Sequence, residues 1–162
     1  ATNAVAAVGT DADFDHYVER FRTADTPQEQ LRFLYALGEF PEAAHIDRAV
    51  EFAFSGEVRM QNAPFLLYRC LANRWHGEQV WHTLRQRWDE ANEKFPANTI
   101  VRMVDPVKTL TKEDITADVQ AFFSEHPIPQ GGKSLDQILE RQRTNAAMYA
   151  REHQRFTDEL LG

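Results

Sequence analysis

Cysteine is nearly absent from this sequence. Cys70 is the only one in 162 residues, and it lies in the apolar run FLLYRCLA. One cysteine cannot form an internal disulfide, which excludes the small secreted scaffolds that depend on several bridges. The apolar neighbours of Cys70 predict a buried thiol rather than an exposed nucleophile.

Long hydrophobic runs and an excess of positive charge are absent too. No apolar stretch approaches the roughly 20 residues that cross a bilayer, and the opening residues ATNAVAAVG show no signal-peptide pattern. The formal net charge is −7, and Lys and Arg are dispersed among Asp and Glu, whereas nucleic-acid-binding proteins usually carry a basic stripe. We therefore expect neither a membrane nor a nucleic acid as a partner, and a cytoplasmic location.

Strand signals are missing, because no segment alternates apolar and polar residues over the length of a strand. Seven glycines and seven prolines stand mainly between apolar segments whose residues recur in steps of three and four. The stretch TPQEQLRFLYALGEFP has a complete helix pattern: Thr26 is the N-cap, Pro27 is the first helical residue, and Glu29 closes a capping box. Gly38 then permits a left-handed exit from the helix.

These patterns predict an all-α fold. The helices are short, follow one another through tight turns, and are expected to form antiparallel pairs in an irregular superhelix of the HEAT or armadillo type. The last helix is long and begins near Ser134. We expect residues 1–162 to form a single helical domain. Ten positions on the apolar stripes are predicted to form its core: Leu34, Leu37, Leu67, Trp81, Leu84, Trp88, Phe122, Ile138, Leu139 and Tyr149.

Motifs for catalysis and for metal binding are absent. None of the six histidines is spaced from another as His-x-x-x-His, and the HExxH motif does not occur. The Gly-x-Ser-x-Gly motif is missing, and PQGGK lacks the Ser or Thr that ends a phosphate-binding loop. Paired carboxylates such as Glu113 and Asp114 fall at helix starts, where negative charge is favourable. We predict that the chain carries no catalytic residue and binds no metal ion.

Three polar residues are candidates for contact with a ligand. Gln142 and His153 fall on the apolar stripe of the last helix, so each is either satisfied by a neighbouring helix or lines a groove. Arg59 stands with Gln61 at the entry to a buried helix, where both are expected to hydrogen-bond unpaired chain ends. Arg59 is also suited to meet a ligand carboxylate.

The order of several landmarks resembles one known family. SGEVRMQN is followed by LAN, by Trp81 and Trp88, and then by KF. This order is similar to the C-terminal helical domain of zinc aminopeptidases of the aminopeptidase N type, which also occurs in the antigen-trimming aminopeptidases of the endoplasmic reticulum. The similarity extends back to TPQEQLRFLYALGEF and forward through TKEDITADVQAFFSEHP and LDQILERQRTNAAMYAREHQRF. It covers nearly the whole chain from about Asp11.

The resemblance implies a function. In the family, a β-domain and a thermolysin-like catalytic domain are joined to a helical C-terminal domain, which curves over the active site and encloses the substrate chamber. This chain would then be the non-catalytic C-terminal half of such a helical domain, and a fragment of a longer protein. Its partners would be the catalytic and β domains of the same parent chain and a peptide substrate. The cofactor would be zinc in the catalytic domain, with none in this segment.

The resemblance also bears on individual residues. Arg59, Gln142 and His153 become candidates for lining the substrate chamber. Asn62 departs from the family, which commonly has an acidic residue at this position, so any ion pair that the acid makes in the family is not expected here.

Two other functions fit the residues. An independent helical-repeat module would bind a protein partner along a concave face. A small stand-alone enzyme would have to use Arg59, His76 or His82. We expect His76, Glu78 and His82 to face solvent, and this expectation argues against a stand-alone enzyme.

Overall fold

The structure, a computed structural model, describes residues 2–161 and the side chains of residues 2–157. These residues form ten α-helices and no β-strand, which confirms the predicted all-α fold and the long final helix. Two 3₁₀ turns, Leu37–Glu39 and Asp105–Thr109, follow the third and eighth helices. The α-helices are α1 Thr2–Ala6, α2 Asp11–Thr23, α3 Pro27–Ala36, α4 Ala43–Phe54, α5 Ala63–Leu71, α6 Gly77–Gln86, α7 Trp88–Lys94, α8 Ala97–Val104, α9 Glu113–Glu125 and α10 Gly132–Leu161.

The helices are arranged by two sets of contacts. Consecutive helices contact in pairs, namely α2 with α3, α4 with α5, and α9 with α10. A second set joins α3 to α5, α5 to α8, and α8 to α10, so these four helices form one layer. The superhelical repetition of the pairs stays a prediction.

The start of α3 follows the predicted pattern only in part. The Glu29 backbone N–H donates to Thr26 Oγ1 at 3.2 Å, as an N-cap requires. The Glu29 carboxylate does not close the box and instead pairs with Arg20 on α2. The same carboxylate therefore ties α3 to α2 rather than to its own N-cap.

Gly38 is needed for a reason other than the predicted left-handed exit. Positive φ angles among the described residues occur only at Gly56 and Gly131. A Cβ atom on Gly38 would lie 2.6 Å from Arg69 Cβ and 2.8 Å from the Arg69 carbonyl carbon. Glycine therefore lets the turn after α3 approach the backbone of α5.

Asn73 fastens this turn to the next one. Its side-chain Nδ2 donates to the carbonyls of Gly38 at 3.0 Å and Phe40 at 3.1 Å. Its Oδ1 accepts from the backbone N–H groups of Trp75 and His76. Because Asn73 is buried, all of these bonds are shielded from water, and they hold the α3–α4 and α5–α6 connections together.

Most of the predicted core positions lie in the core. Eight of the ten predicted positions are buried, and Leu139 packs against them as a partly buried residue. Tyr149 was predicted there wrongly, because its side chain is 54% exposed. Its ring lies beside Thr111 and Lys112 at the edge of two cavities, so no neighbouring helix covers it. The buried positions are Leu34, Leu37, Leu67, Trp81, Leu84, Trp88, Phe122 and Ile138.

A cluster of four rings joins α6 and α7 to α9. Trp81 and Trp88 each lie within 5.4–5.6 Å of Phe122 and Phe123, measured between ring centroids. Trp81 Nε1 donates to Asp118 Oδ2 at 2.8 Å, so the buried indole keeps a hydrogen bond.

The apolar stripe that contains both tryptophans is divided at Arg87, between α6 and α7. This residue has φ −104° and ψ 22°, outside the α-helical region. Its guanidinium bonds to Glu90 at 2.7 Å and Glu51 at 2.8 Å, and it lies 3.8 Å from the centroid of the Phe54 ring. Arg87 therefore connects the α6–α7 junction to α4.

Replacing Trp81 with alanine tests the ring cluster. We expect the free energy of unfolding to fall by about 3–5 kcal/mol, because a fully buried ring is lost and a cavity remains. Urea unfolding followed by circular dichroism measures this change. Trp75→Ala is the matched control, since Trp75 is 55% exposed and should shift stability by no more than about 0.5 kcal/mol. Equal losses in the two variants would contradict the assignment of Trp81 to the core.

Glu90 makes stability depend on pH. Hydrogen bonds from Arg87 and then Lys94 lower the pKa of Glu90 from 4.5 to about 2. Because the pKa of Glu90 is lower in the folded protein than in the unfolded chain, its ionised carboxylate stabilises the fold fully at pH values above the unfolded pKa. This contribution is lost as the pH falls from 4.5 towards 2. Glu90→Gln should flatten the fall of the unfolding free energy in this window, as measured by denaturant titrations at successive pH values. Glu93→Gln, at an exposed carboxylate, should leave the slope unchanged.

Candidate functional site

A groove crosses the layer formed by α3, α5, α8 and α10. Its volume is about 370 Å³, and all four helices contribute to its walls. Most of the surface is apolar and aromatic, with a few polar groups at its edges, as is typical of sites that bind small molecules or peptide side chains. The lining residues are Tyr35, Phe65, Tyr68, Arg69, Val101, Arg102, Asp105, Ser134 and Ile138.

Several hydrogen-bond donors in this groove lack a partner. Within residues 2–157, no hydrogen bond or ion pair involves the Arg102 guanidinium or the hydroxyls of Tyr35, Tyr68 and Ser134. Tyr35 and Tyr68 are half-buried and Arg102 is exposed. Donors that converge on one apolar groove without an acceptor of their own suit an incoming anionic group.

The charges around the groove favour an anion. Arg69 is 3.7 Å from Glu39, a loose ion pair, and both oxygens of Asp105 accept from Lys108, at 2.8 and 2.6 Å. Within the described residues the Arg102 charge has no such partner. Burial raises the pKa of Tyr35, although the nearby Arg69 charge opposes this effect. The Tyr35 hydroxyl thus stays protonated at neutral pH and is available as a donor.

Cys70 lies next to a groove residue in the sequence but offers the groove no nucleophile. Cys70 follows Arg69 on α5 but is fully buried, and burial raises the pKa of its thiol, so it supplies no thiolate at neutral pH. In the part of the chain with described side chains, no three His, Cys, Asp or Glu residues are placed to hold a metal ion. The donors among these described residues therefore do not fit a zinc ion.

Gln142 is fully buried, which agrees with the alternative that neighbouring helices satisfy it and argues against the alternative that it lines the substrate chamber. Its Nε2 donates to the carbonyl of Leu110 at 3.1 Å, and its Oε1 accepts from Gln120 Nε2 at 3.0 Å. The side chain joins α10 to the residues between α8 and α9. Its amide is satisfied by the protein and cannot reach a ligand.

Arg59 and His153 are both exposed, and neither lies in the groove. The carbonyl of Arg59 accepts from the backbone N–H groups of Asn62 at 2.7 Å and Ala63 at 3.0 Å. Its side chain, like that of Gln61, has no hydrogen-bond partner within the described residues, so the prediction that these side chains fasten the turn was wrong. His153 lines a separate cavity beside α9.

The structure does not bring His76 and His82, the histidines considered for a stand-alone enzyme, together as a site. His76 is half-buried, and its Nε2 lies 2.7 Å from the Pro41 carbonyl, so it fastens a turn rather than facing solvent as predicted. Glu78 accepts from Lys112 Nζ at 2.9 Å. His82 is exposed, as expected.

Sequence reasoning missed the groove itself. Arg102 lies in the short helix α8 between the buried residues Val101 and Met103, and Tyr35 lies near the end of α3. Each resembles an ordinary polar or aromatic residue at the edge of an apolar stripe. Only the packing of α3 and α8 against α5 reveals that the two side chains share one groove.

The chain is similar to a small part of several larger proteins that are named aminopeptidases. It is 27% identical over 136 residues to Aminopeptidase M1-A of Oryza sativa subsp. japonica and 26% identical over 139 residues to Aminopeptidase M1 of Arabidopsis thaliana. It is also 24% identical over 143 residues to the protein "Aminopeptidase 2, mitochondrial" of Saccharomyces cerevisiae. These matches cover 83%, 82% and 85% of this chain but 15% of each relative. No described helix is long and apolar enough to cross a membrane.

The family model named "ERAP1-like C-terminal domain" matches residues 1–144, which is most of the chain. This agrees with the resemblance that the landmarks from Gly56 to Phe95 indicate. The chain belongs to the ERAP1-like C-terminal domain family.

Proposed function

We propose that this chain is the non-catalytic C-terminal part of a zinc aminopeptidase that removes N-terminal amino acids from peptides. In this proposal it forms the last part of a larger helical domain and walls the substrate chamber. Its partners are the catalytic and β domains of the same parent chain and the peptide substrate. Zinc belongs to the preceding catalytic domain.

The groove on the α3–α5–α8–α10 layer is the observation that carries the proposal. It combines an apolar lining with the unpaired donors of Arg102, Tyr35, Tyr68 and Ser134. A peptide held by its N-terminus at the active site of another domain has a free carboxylate at its far end. A chamber wall that faces this end needs a cation and an apolar pocket, and the groove has both.

The binding strength expected from the groove is moderate. Arg102 is exposed, so solvent screens its charge, and a single charge-assisted hydrogen bond contributes about 1.5–3 kcal/mol at most. This is enough to favour a peptide with a free carboxylate over its amide. It also permits the product to leave after each cleavage.

The enzymatic part of the proposal is tested on the full-length protein that contains this segment. We expect it to release N-terminal amino acids from peptides, to lose this activity when a chelator removes zinc, and to regain it when zinc is restored. A coding sequence that begins at Ala1, together with a purified product that releases no amino acid, would favour the independent helical-repeat module instead.

Arg102→Gln in the full-length enzyme tests the role of the groove. We expect KM to rise about tenfold for a peptide with a free C-terminal carboxylate, because a charged donor is lost. KM for the same peptide with a C-terminal amide should stay unchanged. Arg151→Gln is the matched control, because Arg151 is an exposed arginine outside the groove. Equal effects of Arg102→Gln on both peptides would refute carboxylate recognition here.

A further inference from the structure

Arg69 gives the groove a second positive charge beside that of Arg102. Arg69 belongs to α5 and Arg102 to α8, two helices that contact each other, and both side chains line the groove. The guanidinium carbon of Arg69 lies 6.0 Å from the centroid of the Tyr68 ring, which lines the same groove. The charge of Arg69 also opposes the rise in the pKa of Tyr35. These two contacts direct the charge of Arg69 towards the groove.

The charge of Arg69 is only loosely neutralised by the protein. Its ion pair with Glu39, at 3.7 Å, is the longest between described side chains, and within the described residues no hydrogen bond joins the two groups. The side chains of Arg69 and Glu39 are 44% and 34% exposed. An exposed pair of this length contributes little to stability, so an incoming carboxylate is able to compete with Glu39 for Arg69.

The backbone that carries this ion pair is fixed. A Cβ atom on Gly38 would lie 2.6 Å from Arg69 Cβ, so the turn and α5 are in close contact. Asn73 Nδ2 donates to the carbonyls of Gly38 and Phe40, on either side of Glu39. The Arg69 side chain therefore starts from a fixed Cβ, and a change of partner requires rotations about its own bonds alone.

The lining of the groove supplies no free negative charge. Among the described residues that line it, Asp105 is the only acidic one. Both oxygens of Asp105 accept from Lys108 Nζ, at 2.8 and 2.6 Å, so this carboxylate is already paired. Arg69 and Arg102 remain as the cations of the lining, and two cations favour a ligand with two negative charges over a ligand with one.

A peptide that ends in glutamate or aspartate carries two carboxylates at one end. The two carboxyl carbons of a C-terminal glutamate are four bonds apart, which is at most about 5 Å. The axes of neighbouring helices such as α5 and α8 typically lie about 8–10 Å apart, a distance that two arginine side chains bridge through such a residue. The methylene groups of the glutamate would pack on the apolar lining, where Phe65 and Tyr68 lie.

We propose that Arg69 and Arg102 together make the groove selective for peptides that end in an acidic residue. Arg102 binds the main-chain carboxylate, and Arg69 binds the side-chain carboxylate. Glu39 limits the selectivity, because it competes with the ligand for Arg69. This inference rests on the proposed function, which brings the C-terminus of a peptide to the groove.

Two peptides that differ only in their last residue, glutamate or glutamine, test this selectivity. Both keep a free C-terminal carboxylate, and an acetylated N-terminus protects both from an aminopeptidase during the measurement. Isothermal titration calorimetry on the full-length protein gives the dissociation constants. We expect the peptide that ends in glutamate to bind about threefold more tightly, as one partly exposed ion pair allows.

Substitutions in the full-length protein assign the selectivity to the two partners of the loose ion pair. Arg69→Gln should make the two peptides bind equally, with the fold retained in far-UV circular dichroism. Glu39→Gln should increase the preference for glutamate to about tenfold, because Arg69 loses its competitor. Glu42→Gln is the matched control, because Glu42 is exposed and has no ion pair within the described residues. It should leave the preference at about threefold.

Equal binding of the two peptides by the unaltered protein, or binding of neither, would overturn the inference. A preference for glutamate that persists in Arg69→Gln would overturn it as well. Release of amino acids from unblocked peptides is measured separately, so that the two proposals fail in different ways. An active aminopeptidase without a preference for glutamate would refute the selectivity alone, whereas a preference in a full-length protein without peptidase activity would refute the proposed peptidase function alone.

Discussion

The fold depends on the burial of apolar stripes between helices that are too short to be stable alone. Apart from α10, the described helices have between 5 and 13 residues, and isolated helices of this length are marginal in water. Each therefore gains its stability from neighbours. The contact of Trp81 and Trp88 with Phe122 and Phe123 shows how this works, because these rings belong to three different helices and are buried only when all three are in place.

This constraint sorts the polar residues into two groups. Polar side chains within the seams must be satisfied by the protein, and they become connectors, as Asn73 and Gln142 do. Arg102, in the groove, has no such bond within the described residues and keeps its hydrogen-bonding capacity. In the proposed function, the ligand would therefore meet the groove on this layer, while the seams that support the groove hold their polar groups in internal bonds.

Sequence periodicity predicted the helices and most of the core because three-four spacing determines which side of a helix is apolar. It does not determine where the neighbouring helix ends, which is why Tyr149 was placed in the core. It also does not show which helices meet across a layer. Arg102 and Tyr35 are 67 positions apart, and no local pattern links them. Gln142 was recognised as lying on the stripe, but only the structure shows that Leu110 and Gln120 satisfy it.

For Gly38 and Arg59, the structural role predicted from the sequence was wrong. Gly38 was expected to adopt a left-handed conformation, whereas it permits a close backbone approach to Arg69. Arg59 was expected to fasten a turn through its side chain, whereas its carbonyl forms the turn. In both cases the residue type is compatible with two structural roles, and the choice between them depends on tertiary packing.

The burial of Cys70 gives the domain an internal chemical reporter. Helix α5 contacts α3, α4, α6 and α8, so it lies at the centre of the molecule, and its thiol has no access to solvent. Thiol reagents need both access and a thiolate, and the packed state offers neither. Labelling of this one sulfur therefore proceeds through molecules in which the central helix has separated from its neighbours, and its rate under mild conditions reports how often the centre of the domain opens.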